Sequence, residues 1–344
     1  MSPILIAGPC SIESLNQLRS VTQALLSPAS SSHPIRYIRG GVWKPRTRPG
    51  RFEGNGEKAL QWIDEVKGEY PDAHFCCEVA TPEHVELCLR HAVDAVWIGS
   101  RTAGNPFSVA DVCLALQGCS IPILVKNPPA PDINLWLGAI ERALQTGSPY
   151  VAAIHRGFTP YYYSSYRNNP MWEIPIELRR RMPDLPLLCD PSHIGGRADS
   201  IGPLMQTAMD LHFDGLMVEV HPEPEQAFTD MRQQVTPQEF FDLLAQLQTH
   251  QDADTPHALA HLRQQIDMVD AQIIDALALR LDIVKRIAQV KSDNNMAVYQ
   301  PKRWDEVLQQ KMSLAEEAGI DPLFIKDIYE KIHAESVKVQ MESL

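Results

Sequence analysis

Along the first 250 residues, short apolar runs alternate with longer amphipathic stretches. The runs are 3–8 (PILIAG), 34–41 (PIRYIRGG), 73–79 (AHFCCEV), 94–100 (DAVWIGS), 121–127 (IPILVKN), 149–155 (PYVAAIH), 185–190 (LPLLCD) and 214–221 (DGLMVEVH). Each is mostly continuous rather than alternating, as expected of parallel strands covered on both faces. Segments long enough for a crossover helix separate them, for example 82–92, 132–146 and 198–212. Eight such units predict an α/β fold, a (β/α)8 TIM barrel, whose active face lies at the C-terminal ends of its strands. An open doubly wound sheet is the alternative, but no glycine-rich phosphate turn follows the first run.

The pattern then changes. Residues 249–257 are polar and without periodicity, which predicts a linker between a barrel over 1–248 and an all-α domain over 258–344. In that domain Leu259, Leu262, Ile266, Val269, Ile273, Ala276, Arg280, Ile283, Ile287 and Val290 follow heptad spacing. Two further helices fit 302–317, opened by Pro301, and 322–340, with Asp321 as cap before Pro322. Three helices make a thin core, and the first alone spans about 50 Å. A seam of that length calls for a partner chain, so a homodimer through the helical domain is expected.

Charge narrows the partners. The chain of 344 residues carries 31 Lys plus Arg against 43 Asp plus Glu, a formal net charge of −12. Such a balance excludes general binding to nucleic acid or anionic membrane surfaces. No apolar run reaches the roughly 18 residues of a spanning helix, and the first run begins at residue 3 without a signal-peptide pattern. Seven cysteines, an odd number, argue against a disulfide framework. A cytoplasmic protein without an N-terminal regulatory extension is expected.

Against this acidity, Arg19, Arg36, Arg39, Lys44, Arg46, Arg48 and Arg51 fall between Ser14 and Phe52 with no acidic residue among them. Such an island can be a solvated loop. However, Arg39 and Lys44 flank the end of the second strand, Arg101 follows the fourth, Lys126 ends the fifth and Arg156 follows the sixth. Cations at one end of several strands converge on one mouth, which suits a small, multiply charged phosphate substrate. A second set differs in kind. Cys10 follows strand 1, His193 follows strand 7, Glu219 lies late in strand 8 and Asp230 comes just after it. Strands 7, 8 and 1 are neighbours in a closed barrel, and a thiolate, an imidazole and two carboxylates suit a divalent transition metal. Taken singly, each of these residues also has an ordinary structural explanation.

The local motifs AGPCSIES (7–14), RGGVWKPRT (39–47), IGSRT (98–102), LVKN (124–127), IHRG (154–157), DPSHIGGR (190–197) and MVEVHPEPEQAFTD (217–230) resemble 3-deoxy-D-arabino-heptulosonate 7-phosphate (DAHP) synthase. That family condenses phosphoenolpyruvate with erythrose 4-phosphate. The resemblance implies that Cys10, His193, Glu219 and Asp230 bind Mn²⁺, Fe²⁺, Co²⁺ or Zn²⁺, a Lewis acid for the aldehyde oxygen. It places Arg39, Lys44, Arg101, Lys126 and Arg156 on phosphoenolpyruvate, and Arg46 and Thr47 on the sugar phosphate. Lys126 is the expected proton-transfer or charge-stabilising group, its pKa lowered by burial beside Arg101 and Arg156. Asn127-Pro128-Pro129 replaces the arginine-glycine that often follows this lysine. A related synthase uses arabinose 5-phosphate to make an octulosonate 8-phosphate. It usually has alanine-asparagine-arginine where this chain has Pro45-Arg46, which favours the four-carbon aldose.

In the helical domain Arg280 occupies a core heptad position and needs an anion, either a ligand or a structural partner. Arg263 lies about 25 Å from it along the helix and Lys291 about 16 Å, so Arg263 joins a common site only from another chain. LRQQIDMVDAQIIDALALR (262–280), with Lys291, Val298, Arg303, Asp321, Ser336 and Gln340, resembles the all-helical chorismate mutases, intertwined dimers. The resemblance implies that Arg280 and a partner chain's Arg263 clamp the carboxylates. Lys291 and Gln340 then meet the ether oxygen, and Arg303 and Ser336 complete the pocket. Gln300 and Trp304 stand where aspartate and glutamate are usual. The expectation is a bifunctional enzyme, both transferase and isomerase, on phosphoenolpyruvate, erythrose 4-phosphate and chorismate. The alternative keeps the synthase and makes the tail a dimerising sensor of chorismate or prephenate.

Overall fold

Period-two alternation decides what each strand presents to either side, and closure makes one of those sides an interior. A computed structural model describes residues 3–27, 33–44, 50–160, 165–248 and 257–342, apart from the side chains of 257–262, 264, 265 and 268. The strands are β1 (Ile4–Gly8), β2 (Ile35–Gly40), β3 (Phe75–Val79), β4 (Ala95–Ile98), β5 (Ile123–Lys126), β6 (Val151–His155), β7 (Leu187–Cys189) and β8 (Gly215–Glu219). They pair in sequence order, all parallel, and β8 closes on β1 with Gly8 opposite Glu219. The expected barrel is therefore present, and each strand lies within its predicted run.

Ile6, Tyr37, Cys76, Ala95, Trp97, Leu124, Ala152, Ile154, Leu188 and Met217 form the interior cluster. Their sequence neighbours, among them Leu5, Ile38, Cys77, Val96, Ile123, Val125 and Ala153, point outward and pack under the helices. Those helices start on sequence-encoded caps. Thr81 accepts from the His84 amide ahead of Pro82–Arg90, and Asp132 caps Ile133–Gln145.

The chain divides into two units, Met1–His250 and Gln251–Leu344. The second consists of helices His257–Asp293, Pro301–Glu317 and Pro322–Glu342. Asp321 Oδ1 accepts from the Leu323 amide at 2.9 Å, as its position before Pro322 requires. The heptad seam, however, is not the stripe that the chain buries on itself. Val284 and Ala288 are buried, whereas Ile266, Val269, Ile273, Ile283, Ile287 and Val290 are between 43% and 60% exposed. Of the remaining seam residues, the side chains of Leu259 and Leu262 lie outside those described, as does most of the 249–257 linker.

His155 ends the outward-facing set of β6. It is enclosed by Trp136, Phe158, Trp172 and Phe213, with ring centroids 5.3 to 6.3 Å away. Burial pushes its pKa down to about 3. The folded value lies below the ordinary one near 6.5, so this group's contribution is full above that pH and is lost as pH falls toward 3. At pH 5 the loss through His155 is about 2 kcal/mol relative to pH 7.5. Replacing His155 with Phe should remove that part of the acid sensitivity, read as urea midpoints at the two pH values.

Candidate active site

The interior alternation ends in chemistry. Two residues beyond the last apolar interior side chain stand Arg39 after Tyr37, Glu78 after Cys76, Lys126 after Leu124, Arg156 after Ile154, Asp190 after Leu188 and Glu219 after Met217. Below them the barrel is filled. Above them lies a cavity of about 490 Å³ lined by Lys44, Arg51, Glu78, Ser100, Arg101, Lys126, Pro129, Arg156, Thr159, Arg167, Asn168, His193 and Asp230.

Four of the five cations assigned to phosphoenolpyruvate, Lys44, Arg101, Lys126 and Arg156, reach this cavity. Arg39 does not line it. Its guanidinium is buried and pairs with Glu219 at 3.0 Å, over the face of Trp97 at 5.1 Å. Arg46 and Thr47 lie outside the described residues. Lys126 Nζ is 2.6 Å from Asp190 Oδ2. Burial lowers the Lys126 pKa, Asp190 opposes the shift and Arg39 adds to it. The lowering thus has the expected direction, but the neighbouring cation responsible is Arg39 rather than Arg101 or Arg156. Asp190 also accepts from the His193 amide and lies 2.8 Å from His193 Nδ1. Burial pushes the Asp190 carboxyl up, and His193 and Lys126 together hold it well below the carboxylate range.

Cys10, Glu219 and Asp230 each offer a donor atom, all within 4.8 Å of one another. His193 stands beside this group, with Nε2 3.7 Å from Glu219 Oε1. Cys10 Sγ is 3.5 Å from Asp230 Oδ2 and 3.0 Å from Lys44 Nζ. Burial, then Glu219, pushes the Cys10 thiol up to about 12. Glu219 is itself held down, because His193, Arg39 and Lys44 outweigh its burial. Asp230 sits at φ +50°, in the left-handed region that Asp tolerates, which turns its carboxylate back over the strand ends. A soft sulfur between two ionised carboxylates, with an imidazole adjacent, fits a divalent transition metal.

Glu78, Asp190, Arg167, Gln233 and Gln234 are site residues that sequence reasoning passed over. The period-two rule carried through each strand end would have found Glu78 and Asp190. Trp97 Nε1 donates to Glu78 at 2.9 Å, and a Cβ at Gly99 would meet the Glu78 carboxylate at 2.2 Å, so glycine leaves it room. Gln234 Oε1 accepts from the Cys10 amide at 3.0 Å.

In the helical unit Arg280 Nη1 donates to Ser336 Oγ, and Gln340 Nε2 to the Ser336 carbonyl at 3.2 Å. Lys291 Nζ donates to the Val298 carbonyl. Arg303 instead pairs with Glu306 in solvent, and Arg263 is exposed. Trp304 stacks on His333 with centroids 4.0 Å apart. Burial, then Arg280 and Lys291, lowers the His333 pKa.

A model described as the DAHP synthetase I family matches residues 2–254. The chain belongs to that family. A chorismate mutase type II model matches residues 262–341. The DAHP synthetase I family barrel is thus followed by a mutase-type helical domain, a transferase joined to an isomerase. Phospho-2-dehydro-3-deoxyheptonate aldolase of Thermotoga maritima is 32% identical over 250 residues, 72% of this chain and 70% of that protein. A crystal structure of DAHP synthase from Thermotoga maritima matches with a TM-score of 0.60 at 29% identity, covering 70% of this chain and 67% of that one. The T-protein of Enterobacter agglomerans is 37% identical over 78 residues, 23% of this chain and 21% of that protein. The match therefore spans about a fifth of the T-protein.

Asn127, in this chain's departure from lysine-arginine-glycine, ties two strand ends together. Its Oδ1 accepts from the Arg156 amide at 2.7 Å, and its Nδ2 donates to the Pro128 and Gly157 carbonyls, each at 2.9 Å. Replacing Asn127 with Leu leaves these buried groups unpaired and should cost about 3 kcal/mol or more. A fall in the barrel's urea midpoint measures it.

Proposed function

We propose that the barrel condenses phosphoenolpyruvate with erythrose 4-phosphate to DAHP and phosphate, and that the helical domain rearranges chorismate to prephenate. The observation that carries the first half is the convergence of Lys44, Arg101, Lys126 and Arg156 on one cavity beside the Cys10, Glu219 and Asp230 donors. Guanidinium forks match a carboxylate and a phosphate on one small molecule. Arg101 and Arg156 are assigned to those anionic groups, with Lys44 beside them. Arg46 and Thr47 are assigned to the sugar phosphate.

Cys10, His193, Glu219 and Asp230 would hold a divalent transition-metal ion, which supplies Lewis acidity for the aldehyde oxygen. The cationic wall orients phosphoenolpyruvate so that C3 faces the aldehyde carbon. As C3 attacks, positive charge develops at C2. Water adds there, and phosphate departs with the oxygen it carried. Lys126, its pKa lowered by burial and its amine held by Asp190, is assigned the proton transfer at that centre. Chelation should abolish condensation and Mn²⁺ should restore it. Cys10→Ser should weaken Mn²⁺ binding at least about tenfold. Erythrose 4-phosphate should be used and arabinose 5-phosphate not; the reverse preference overturns the assignment.

For the helical domain, Arg280, Lys291, Ser336 and Gln340 supply a pocket wall, with Arg303 and a partner chain's Arg263 completing it. The exposed heptad seam supports a homodimer, since more than half of its described apolar positions lack cover within the chain. The full-length protein should sediment as a dimer. Arg280→Ala should lower kcat/KM for chorismate at least about 100-fold while leaving condensation intact. A second reading, a ligand-sensing tail, draws on Trp304, whose ring occupies a place where no carboxylate acts. Chorismate turnover no faster than background, with prephenate still inhibiting condensation, would favour that reading.

A further inference from the structure

Arg167 belongs to two sites at once. It lines the mouth cavity, with its side chain 44% exposed. Its Nη1 is 3.1 Å from Asp230 Oδ1, and the same nitrogen donates to Gln233 Oε1. Gln233 is fully buried, and its Nε2 donates to Glu219 Oε2 at 2.6 Å. One guanidinium thus addresses two of the three clustered donors, Asp230 directly and Glu219 through an amide. Its backbone is also fixed, since the Arg167 amide donates to the Gly195 carbonyl at 3.3 Å. At Gly196 (φ +73°) a Cβ would meet the Arg167 Cβ at 2.5 Å.

We propose that Arg167 couples anion binding in the mouth to metal binding at Cys10, Glu219 and Asp230, an inference that rests on the metal-dependent reading above. Asp230 cannot serve a guanidinium and a dication at full strength. A cation that takes Asp230 shares its negative charge and loosens Arg167, which becomes available to an anion in the cavity. An anion that draws Arg167 away frees Asp230 in turn. Gln233 extends this to Glu219. Arginine can only donate, so it fixes the amide oxygen toward itself and the amide nitrogen toward the carboxylate. Each ligand therefore favours the other, and linkage makes the effect reciprocal.

The test uses the full chain and Mn²⁺ alone as probe, its free concentration read by electron paramagnetic resonance. Titrations are run without phosphoenolpyruvate and at a concentration that saturates each variant. In the wild type, phosphoenolpyruvate should tighten Mn²⁺ binding about fivefold or more. Arg167→Gln removes the competitor for Asp230, so Mn²⁺ alone should bind more tightly than to the wild type, and the effect of phosphoenolpyruvate should fall below about twofold. Arg167→Lys, which keeps the charge but not the fork, should restore part of the effect. A wild-type factor near one overturns the proposal, as does an Arg167→Gln variant that keeps the full factor. Weaker Mn²⁺ binding by Arg167→Gln also overturns it, since that is the mark of a structural role. A wild type that binds no Mn²⁺ overturns the metal-dependent reading as well, whereas absent coupling with intact Mn²⁺ binding leaves that reading standing.

Discussion

The top of the barrel is a layer of buried charge in positions where strand alternation elsewhere puts apolar side chains, and the site depends on that layer balancing itself. Arg39 pairs with Glu219 and Lys126 with Asp190, all four almost without solvent contact. Removing one member of such a pair strands the other and costs about 3–5 kcal/mol. Trp97 lies beneath both cations, with the Arg39 guanidinium 5.1 Å and the Lys126 amine 5.6 Å from its ring. The layer is therefore both the lid of the hydrophobic core and the floor of the cavity. What stands above it, Lys44, Arg101, Arg156 and Arg167, is cationic in a chain of net charge −12. Such a local inversion focuses anions into the mouth.

Neutral amides hold this charge in register. Asn168 accepts from Arg156 Nη1 at 2.7 Å and donates to the His193 carbonyl at 2.6 Å, joining the β6 and β7 ends. Gln234 joins β1 to the segment after β8 through the Cys10 amide and the Thr229 carbonyl. Asn127 does the same between β5 and β6. Each closes one neighbouring pair of strand ends without adding a charge to a layer already balanced. Preorganisation of this kind places a donor atom by rigid elements rather than by loop flexibility.

The strands were legible because continuous apolar runs are what a doubly covered parallel sheet requires, and all eight fall inside their expected segments. The cations and the Cys10, Glu219 and Asp230 donors were legible because barrel geometry brings strand ends together whatever their separation in sequence. Glu78 and Asp190 were legible in principle, as the next interior positions on β3 and β7. Gln233, Gln234 and Asn168 were not. Each sits outside the strands, and its role comes from a backbone path that no periodicity encodes. Arg39 shows the opposite limit: its strand position was read correctly, but its ion pair with Glu219, on the far side of β1, was not, because a chemical type alone does not name its partner.

The helical domain treats its cations differently. Heptad spacing was readable at Arg280, but the stripe the chain buries on itself runs through Val284 and Ala288, and the seam residues Ile283, Ile287 and Val290 stay exposed. Arg280 meets the neutral hydroxyl of Ser336, and Lys291 a backbone carbonyl. Burial, and after it these two cations, lowers the pKa of His333. In the barrel, the buried Arg39 and Lys126 each have a carboxylate, Glu219 and Asp190. Among the described residues of the helices, the half-buried Arg280 and Lys291 hold neutral oxygens instead, and giving up such a hydrogen bond costs less than breaking a buried ion pair.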